Sequence, residues 1–463
     1  MRRRRKNDGG KAAKIIVMSL GPLAAIYLGM SAYFMNHFFF GSTIYDINVA
    51  GKTVEEAETL LSEDISGYTL ELDGRNNVSE QIKGTDIDLQ YEKNDKVESF
   101  KKTQNPFLWI TSLFSKNELT NAQLVTFNED SLKNIVDKSS FFDEKNIIKP
   151  ENPSFEYSGD SFKIVPQVEG SKIDEEALYD KVSDAIKNGN KVIDLDALDC
   201  YEKPKYNEES PEVIAAKDSL DKVADSKITY QFGSRSEVLD GSTISTWLGV
   251  DDNMQVTVDE NKARKYVEGL AHDYNTYANT RDFKTSTGGN IKVVGGNYGW
   301  IIDKKKETED LIQTVKNGEE VTKEPAYSQD AISREKDDVG NTYVEIDMTK
   351  QHLWFYKNGA LIVEGDVVTG NAANNWSTPV GTYRLNYKEK NATLKGENYE
   401  SSVTYWMPFN NNIGIHDAGW RNAFGGKIYL TNGSHGCVNA PYAVAEKIFQ
   451  NIEAGTPIIC YYE

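Results

Sequence analysis

The sequence predicts a multidomain protein: a mostly-β C-terminal domain, preceded by two α+β repeat modules and one N-terminal transmembrane helix. Three observations predict this: a run without charge from Ile15 to Met35, an internal repeat, and a change of composition at Asn341. From Asn341 onward the chain has short alternating runs rich in β-branched and aromatic residues, which are typical of strands. A chain of 463 residues is too long for a single hydrophobic core. The expected divisions are a basic tail over 1–14, a transmembrane helix over 15–37, a lead-in with the first module over 42–210, the second module over 211–328 and the C-terminal domain over 338–463.

The uncharged run from Ile15 to Met35 is long enough to cross a bilayer as a helix. A cleaved secretory signal is the alternative, but such signals have shorter apolar regions, and only Met30-Ser31-Ala32 resembles a cleavage site. Arg2 to Arg5 precede the run, and positive residues stay on the cytoplasmic side. We therefore expect an uncleaved anchor in the cell membrane, with everything after about Phe40 outside the cell.

Charge and cysteine content argue against a nucleic-acid partner and against a disulfide framework. The formal net charge is −19, although the first fourteen residues contain seven basic side chains and one acidic one. The remainder is therefore more acidic still, and nucleic acid is a poor partner for it. Cys200, Cys437 and Cys460 are an odd number, so no disulfide framework is expected.

Two windows of equal length in the middle of the chain align with each other without a gap. Each window predicts a strand, a turn at a glycine, and a helix capped by Asp174 in the first copy and Asp303 in the second. We interpret them as a duplicated module, whereas the alternative is generic α+β patterning in both. The polar segment 326–340 lacks apolar periodicity and is expected to link the second module to the last domain. The windows are FKIVPQVEGSKIDEEALYDKVSDAIKNGNKVIDLD from Phe162 and IKVVGGNYGWIIDKKKETEDLIQTVKNGEEVTKEP from Ile291.

The C-terminal domain holds a cysteine and two histidines in glycine-flanked segments, GIHDAGW and GSHGCVN. If the second segment is extended, His435 and Cys437 point to the same side. A thiol is mostly protonated at neutral pH, so a nucleophilic Cys437 needs a base, and His416 and His435 are available. His352 lies in an apparent strand, and Cys460 is expected in the core.

Other interpretations of these residues remain open on spacing alone. A buried cysteine often behaves as a small apolar residue, and a single histidine is often a structural hydrogen-bonding group. A zinc site from His416, His435 and Cys437 is also conceivable, but two ligands spaced two apart with no further Cys/His pair make a poor metal signature.

The order of these residues resembles the L,D-transpeptidase (YkuD-like) signature. His416 is followed further along the chain by Ser434-His435-Gly436-Cys437-Val438-Asn439, and that family has a His followed by a Ser/Thr-His-Gly-Cys-hydrophobic-Asn block. The resemblance implies a β-sandwich catalytic domain. The two repeats resemble the peptidoglycan-binding modules that precede it in membrane-anchored bacterial members.

The resemblance also implies roles for the motif residues. Cys437 would attack the third residue of a peptidoglycan tetrapeptide stem, release D-Ala and form a thioester, which an amine of another stem resolves into a 3→3 cross-link. His416 would be the base, oriented by the backbone carbonyl of Asp417. His435 and Gly436 belong to the motif, and the N–H groups of Gly436 and Cys437 are a hypothesis for the oxyanion hole.

Five further residues are expected to shape the loop or to line the substrate groove. Ser434 and Asn439 are expected to shape the loop, and Trp406, Trp420 and Arg421 are candidates for the substrate groove. No metal or organic cofactor is expected, and carbapenems are expected to acylate Cys437.

Two rival functions stay open. A non-catalytic wall-binding protein would use the repeats alone, but it would not need a complete nucleophile and base. An L,D-carboxypeptidase would form the same thioester and pass it to water, a choice that depends on groove shape and that no motif encodes.

Overall fold

The computed structural model describes residues 9–120, 123–335, 337–396 and 399–463. The chain divides into two compact units. The N-terminal unit is formed by the chain up to Ser154 together with Val165–Ser210, and the C-terminal unit by Phe155–Ile164 together with Pro211–Glu463. The helices are α1 Gly9–Tyr33, α2 Val54–Ser66, α3 Lys96–Thr103, α4 Glu129–Asp137, α5 Glu175–Lys187, α6 Pro211–Ala224, α7 Gly241–Ile244, α8 Glu260–Tyr274, α9 Lys304–Asn317, α10 Ile428–Asn432 and α11 Tyr442–Asn451.

The strands are short in the two modules and longer in the C-terminal domain. Those up to residue 210 are β1 Ser42–Ile44, β2 Ile47–Asn48, β3 Thr69–Asp73, β4 Ser79–Lys83, β5 Gln90–Tyr91, β6 Asn117–Leu119, β7 Val125–Thr126, β8 Ser154–Tyr157, β9 Phe162–Val165 and β10 Val192–Asp194. The remainder are β11 Lys227–Phe232, β12 Arg235–Leu239, β13 Leu248–Val250, β14 Val256–Val258, β15 Arg281–Lys284, β16 Asn290–Val293, β17 Ile301–Ile302, β18 Glu320–Lys323, β19 Tyr327–Gln329, β20 Tyr343–Asp347, β21 His352–Lys357, β22 Ala360–Asp366, β23 Gly381–Arg384, β24 Glu389–Gly396, β25 Tyr399–Asn410, β26 Ile413–Asp417, β27 Val438–Ala440 and β28 Pro457–Tyr461.

The first module packs α5 against a three-stranded sheet of order β10-β3-β4. Strand β10 runs parallel to β3, and β4 is antiparallel to it. The apolar face of α5, made by Leu178, Val182 and Ala185, is buried in this core. Spacing at i, i+4 and i+7 places these side chains on one face of the helix.

The second module repeats this arrangement, with a sheet of order β12-β11-β18 in which β18 runs parallel to β11. The predicted caps are confirmed: Asp174 accepts from the Ala177 N–H at 3.0 Å, and Asp303 accepts from the Lys306 N–H at 3.0 Å. Gly318 ends α9 in the left-handed conformation, with φ 69°. The equivalent elements support duplication of one module.

The C-terminal domain is a sandwich of two sheets, of order β22-β21-β20-β28-β23 and β24-β25-β26-β27. Its core joins Phe355 from the first sheet to Met407 and Ile415 from the second, and Ile448 of α11 packs on the same cluster. The prediction of a mostly-β domain is confirmed. Cys460 is fully buried in this core, as expected.

The segment 326–340 is more ordered than its polar sequence predicts. Strand β19 lies within it, Val339 is buried, and the buried Asp338 accepts from Arg281 Nε at 2.8 Å and Nη2 at 2.7 Å. The Tyr298 hydroxyl donates to the Asp338 carbonyl at 2.9 Å. Hydrogen bonds and an ion pair thus order described residues of this segment although it has no apolar periodicity, and its role as the connection to the last domain stays a prediction.

Across the part of the chain that the structure describes, no helix is long and apolar enough to span a membrane. The predicted basic tail lies largely outside that part, because residues 1–8 are not described. The transmembrane helix predicted over 15–37 gains no support from this finding.

Candidate active site

Cys437 lies in a tight loop that leads into β27. Strand β27 runs parallel to β26, with His416 in register with Asn439. Gly436 has φ 116°, a conformation that side chains disfavour, and a side chain at Gly433 would collide with the backbone of Asn371. The two glycines of the motif therefore allow the loop to turn and to pack closely.

Hydrogen bonds hold the loop around Cys437. The Ser434 hydroxyl donates to the Cys437 carbonyl at 2.5 Å and accepts from the Gly436 N–H at 3.1 Å. The hydroxyl of Thr378, which is distant in sequence, donates to the Gly436 carbonyl at 2.7 Å. Ser434 thus occupies a position that suits the expected loop-shaping role.

His416 is buried, with 3% exposure, and both ring nitrogens are engaged. Nδ1 lies 2.8 Å from the Asp417 carbonyl, which can only accept, so Nδ1 carries the proton. Nε2 then accepts from the Asn439 side-chain amide at 3.0 Å. The orientation by the Asp417 carbonyl is the one that the resemblance implies.

Asn439 connects the imidazole to Arg421. Its Oδ1 accepts from Arg421 Nε at 2.7 Å, while Arg421 Nη1 donates to the Asn432 carbonyl at 2.9 Å. Burial lowers the pKa of Arg421 from its usual value, but it remains a cation at neutral pH. The amide of Asn439 is thereby fixed with its nitrogen toward His416.

Burial favours the neutral forms of both reactive groups. Desolvation lowers the pKa of His416, although the Asp417 carbonyl opposes this change. Desolvation also raises the pKa of the Cys437 thiol to about 11, against an opposing hydrogen bond from the Gly414 backbone. The resting pair is therefore a thiol and a neutral imidazole.

The Cys437 thiol donates to the Asn412 carbonyl at 3.5 Å. Within the described residues, no hydrogen bond joins this sulfur to His416, because the imidazole Nε2 is bonded to Asn439. In the resting arrangement the nucleophile and the base are neighbours in one cavity, each held by another group.

The cavity has a volume of about 200 Å³ and brings together seven of the nine predicted site residues. Two larger cavities of about 660 Å³ lie elsewhere in the C-terminal unit, but the described residues that line them include no Cys or His. The lining of the smaller cavity is Leu394, Ser401, His416, Trp420, Arg421, Gly433, Ser434, His435, Cys437 and Asn439.

Trp420 and Trp406 differ in position. Trp420 is 52% exposed, lines the cavity, and has its ring 5.8 Å from that of His416. Trp406 does not line the cavity; it is 6% exposed and packs with Cys437 in a small apolar cluster. Trp406 therefore packs against Cys437 in the interior and does not line the cavity, although we expected it in the substrate groove.

Several residues at the site were not singled out from the sequence. Trp376 stacks on His435, with ring centroids 4.2 Å apart. Thr378 and Asn412 bond to the loop and to the thiol. The one local sequence signal for any of the three is that Thr378 begins a Thr-Pro-Val-Gly stretch, which is typical of a turn.

The zinc alternative finds no support in the geometry. Among the residues that the structure describes, no group of three or more His, Cys, Asp or Glu side chains is placed to hold a metal ion. All three cysteines are free thiols.

Comparison with known families finds matches in the C-terminal domain and in the repeat region. Residues 341–460 match the L,D-transpeptidase catalytic domain, YkuD. Residues 73–194 and 209–323 each match a family described as "putative peptidoglycan binding domain". No curated protein matches the chain.

Solved structures of L,D-transpeptidases are similar to parts of the chain. A cysteine-to-serine mutant from Enterococcus faecium is 35% identical, covers 53% of this chain and 98% of its own, and has a TM-score of 0.46. The E. faecium catalytic domain acylated by ertapenem is 42% identical over 26% of this chain and 97% of its own, with a TM-score of 0.25. L,D-transpeptidase 3 from Mycobacterium tuberculosis with a faropenem-derived adduct is 19% identical over 26% and 60%, with a TM-score of 0.23.

The family matches confirm the resemblance read from the motif. The catalytic-domain match contains both Cys437 and His416, and each module match contains all but the last two residues of one repeat copy. The chain therefore belongs to the L,D-transpeptidases, enzymes acting on peptidoglycan, in the form that carries two peptidoglycan-binding modules before the catalytic domain.

Proposed function

We propose that the protein forms 3→3 cross-links in bacterial peptidoglycan through a thioester on Cys437. The observation that carries this is the placement of Cys437 and His416 in one cavity, with the imidazole held by Asp417 and Asn439. The Cys437 sulfur bonds to the carbonyl carbon of the third stem residue, and the bond from that carbon to the nitrogen of D-Ala breaks. The side-chain amine of a second stem then displaces the sulfur and forms the new amide.

The neutral resting pair sets the order of proton transfers. As Cys437 attacks, its proton moves to Nε2 of His416, while the Nδ1 proton remains bonded to the Asp417 carbonyl. The imidazolium then donates the Nε2 proton to the departing amine of D-Ala. In the second half-reaction, the neutral imidazole accepts a proton from the attacking amine and returns it to the thiolate.

Asn439 must release Nε2 for this transfer to occur. The amide donates to that nitrogen at 3.0 Å in the resting structure, which blocks the lone pair that the thiol proton would use. A rotation of the imidazole or the amide on substrate binding frees it. Bonds of this kind tighten or change partner when a substrate fills the site.

The oxyanion hypothesis needs a similar adjustment. The N–H of Gly436 donates to the Ser434 hydroxyl at 3.1 Å, so it must leave that acceptor to bind a developing oxyanion together with the Cys437 N–H. The Ser434 hydroxyl can keep its own donation to the Cys437 carbonyl. A donor already aimed at the oxyanion contributes about 3–4 kcal/mol to transition-state stabilisation. The Gly436 N–H contributes less than this, because it must first leave the Ser434 hydroxyl.

Product analysis tests the proposal and separates it from the two rivals. The full chain and its Cys437→Ala variant are each given disaccharide-tetrapeptides, and the products are identified by mass spectrometry. A dimer that has lost one D-Ala, formed by the wild type alone, is the expected result. Tripeptide without dimer would indicate an L,D-carboxypeptidase, and no product from folded wild type would leave the wall-binding function.

A carbapenem is proposed as a covalent inhibitor. The E. faecium catalytic domain has been solved acylated by ertapenem, and a β-lactam carbonyl offers the same kind of centre to Cys437. The intact mass of the wild type should rise by the mass of ertapenem, while Cys437→Ala should remain unchanged. An unaltered wild-type mass under conditions where the protein is folded would contradict this.

The location and the role of the repeats are proposals from the sequence. The uncharged run from Ile15 to Met35 behind a basic tail supports a single-pass anchor, with the catalytic domain facing the wall. The module matches support binding of peptidoglycan. Membrane fractionation of cells and co-sedimentation of the full chain with purified sacculi test the two proposals separately.

A further inference from the structure

A short apolar segment in the N-terminal unit is unusually exposed. Residues 106–114 form a 3-10 helix, Pro106–Leu113, followed by Phe114. We call this segment the apolar ridge. Large apolar side chains presented together in this way mark an interaction surface, especially in a chain with a net charge of −19. The exposed members are Phe107 at 52%, Leu108 at 54%, Ile110 at 45%, Leu113 at 55% and Phe114 at 88%.

The apolar ridge lies beside helix α1, which is far from it in sequence. The Tyr27 hydroxyl donates to the Phe107 carbonyl at 2.6 Å, and the Tyr27 ring lies 6.3 Å from that of Trp109. Trp109 also packs 6.0 Å from Phe34, near the end of α1. The ridge is therefore attached to the helix by a hydrogen bond and an aromatic cluster.

Helix α1 extends this surface with apolar side chains of its own. Leu23, Ile26 and Leu28 are 63%, 60% and 58% exposed. At about 100° per residue these three side chains lie on different sides of the helix. Helix α1 is therefore apolar and exposed on several sides, and it adjoins the ridge at Tyr27, which contacts Phe107 and Trp109. Tyr and Trp with such neighbours are enriched where a protein meets the headgroup level of a bilayer.

Charge favours a lipid surface over a second copy of the chain as the occupant. No charged residue occurs from Asn105 to Phe114, and the flanking Lys102 and Lys116 have side chains that are 70% and 88% exposed. Their ion pairs with Glu98 and Glu118 are exposed and therefore weak, so both lysines can reach lipid phosphates. An uncharged apolar segment flanked by two lysines matches the apolar interior and the phosphates of a bilayer surface.

We propose that the apolar ridge and the adjoining face of α1 insert into the outer face of a lipid bilayer. The ridge would sit at the headgroup level and hold the N-terminal unit against the membrane. This contact does not require α1 to cross the bilayer, and it does not depend on the transpeptidase activity.

A fluorescent label on the ridge of the full chain tests the contact. Phe114→Cys is made in a Cys437→Ala background and labelled with an environment-sensitive dye, since Cys200 and Cys460 are fully buried. The chain is mixed with vesicles of phosphatidylglycerol and phosphatidylethanolamine. A blue shift in emission and quenching by spin-labelled lipids are expected at position 114. The matched control is Glu176→Cys on the solvent-exposed side of α5. A label at this position should show the same emission with vesicles as without them.

A substitution pair distinguishes the ridge from the helix. Leu108→Glu with Leu113→Glu should abolish the blue shift at position 114, whereas Leu108→Ala with Leu113→Ala should retain most of it. Emission at 114 that stays water-like in vesicle-bound protein would overturn the proposal, as would failure of the chain to float with vesicles. A blue shift without vesicles that fades on dilution would indicate a second copy instead. Muropeptide product formation, measured on chains that keep Cys437, reports separately on the proposed enzyme activity.

Discussion

Asn439 offers the sharpest test of how the catalytic imidazole is held. Its amide nitrogen donates to His416 Nε2 at 3.0 Å, and its Oδ1 accepts from Arg421 Nε at 2.7 Å. Asn439→Ala removes both bonds from a residue that is 2% exposed. We expect lower stability, because the imidazole loses one of its two restraints and Arg421 loses an acceptor. Acylation by ertapenem should not slow in proportion, because the variant no longer has to release Nε2 from the Asn439 amide.

The magnitude follows from the two bonds. A bond between neutral groups contributes about 1 kcal/mol, and one to a charged group about 1.5–3 kcal/mol. Arg421 lines the cavity and keeps its bond to the Asn432 carbonyl, so water can replace part of the lost contact, and we take the lower end for it. The free energy of unfolding should fall by about 2.5 kcal/mol, which corresponds to roughly 5–10 °C in the melting temperature of the C-terminal unit.

Asn439→Asp separates the two bonds. The carboxylate still accepts from Arg421, but it faces His416 Nε2 with a negative charge and so raises the pKa of His416. Acylation needs the neutral imidazole, so its rate rises with pH through the pKa of His416, and the acid limb should move to higher pH in this variant. Calorimetry and a pH profile of ertapenem acylation measure both effects. An alanine variant as stable as wild type to within about 0.5 kcal/mol, the range of an ordinary surface substitution, would refute the reasoning.

Three further predictions concern the thiol, its loop and the repeats. Because burial raises the pKa of Cys437 to about 11, only about 0.1% of it is thiolate at pH 8; the difference in absorbance at 240 nm between wild type and Cys437→Ala should be negligible there and should grow above pH 10. Thr378→Val loses the hydrogen bond to the Gly436 carbonyl and the one from the Gly370 N–H. It should lower the free energy of unfolding by about 1–3 kcal/mol and slow acylation by ertapenem. A free energy of unfolding and an acylation rate equal to those of wild type would show that the loop does not need this residue. Asp303→Ala should cost about 1 kcal/mol and speed hydrogen exchange in the first turn of α9 without affecting product formation, and unchanged exchange would contradict the capping role.

The sequence predicted what depends on local patterns and on a short motif. The caps at Asp174 and Asp303 follow from the residue type at each predicted helix start, and the structure has them where expected. The spacing of Leu178, Val182 and Ala185 at i, i+4 and i+7 is also visible in the sequence, and the structure buries all three. Cys437 and His416 could be paired because the motif relates them even though they lie on separate segments of the chain. Features of these two kinds need no knowledge of how distant segments meet.

Contacts made between distant segments could not be predicted in this way. Trp376 reaches His435, and Thr378 reaches Gly436, only because the chain folds back across the sandwich. Trp406 was expected in the groove, yet it is buried together with its neighbours Tyr405 and Met407 on β25. The order in segment 326–340 comes from a partner, Arg281, that no local pattern reveals.

Trapping the acyl-enzyme tests the central claim, that Cys437 is the nucleophile, most directly. The full chain is incubated with a tetrapeptide donor and no amine acceptor, quenched in acid, and measured by intact-protein and peptide mass spectrometry. The account predicts an adduct with the mass of the donor less D-Ala, located on the peptide containing Cys437 and absent from Cys437→Ala. Cross-linked product from the Cys437→Ala variant, or an adduct on another residue, would contradict it.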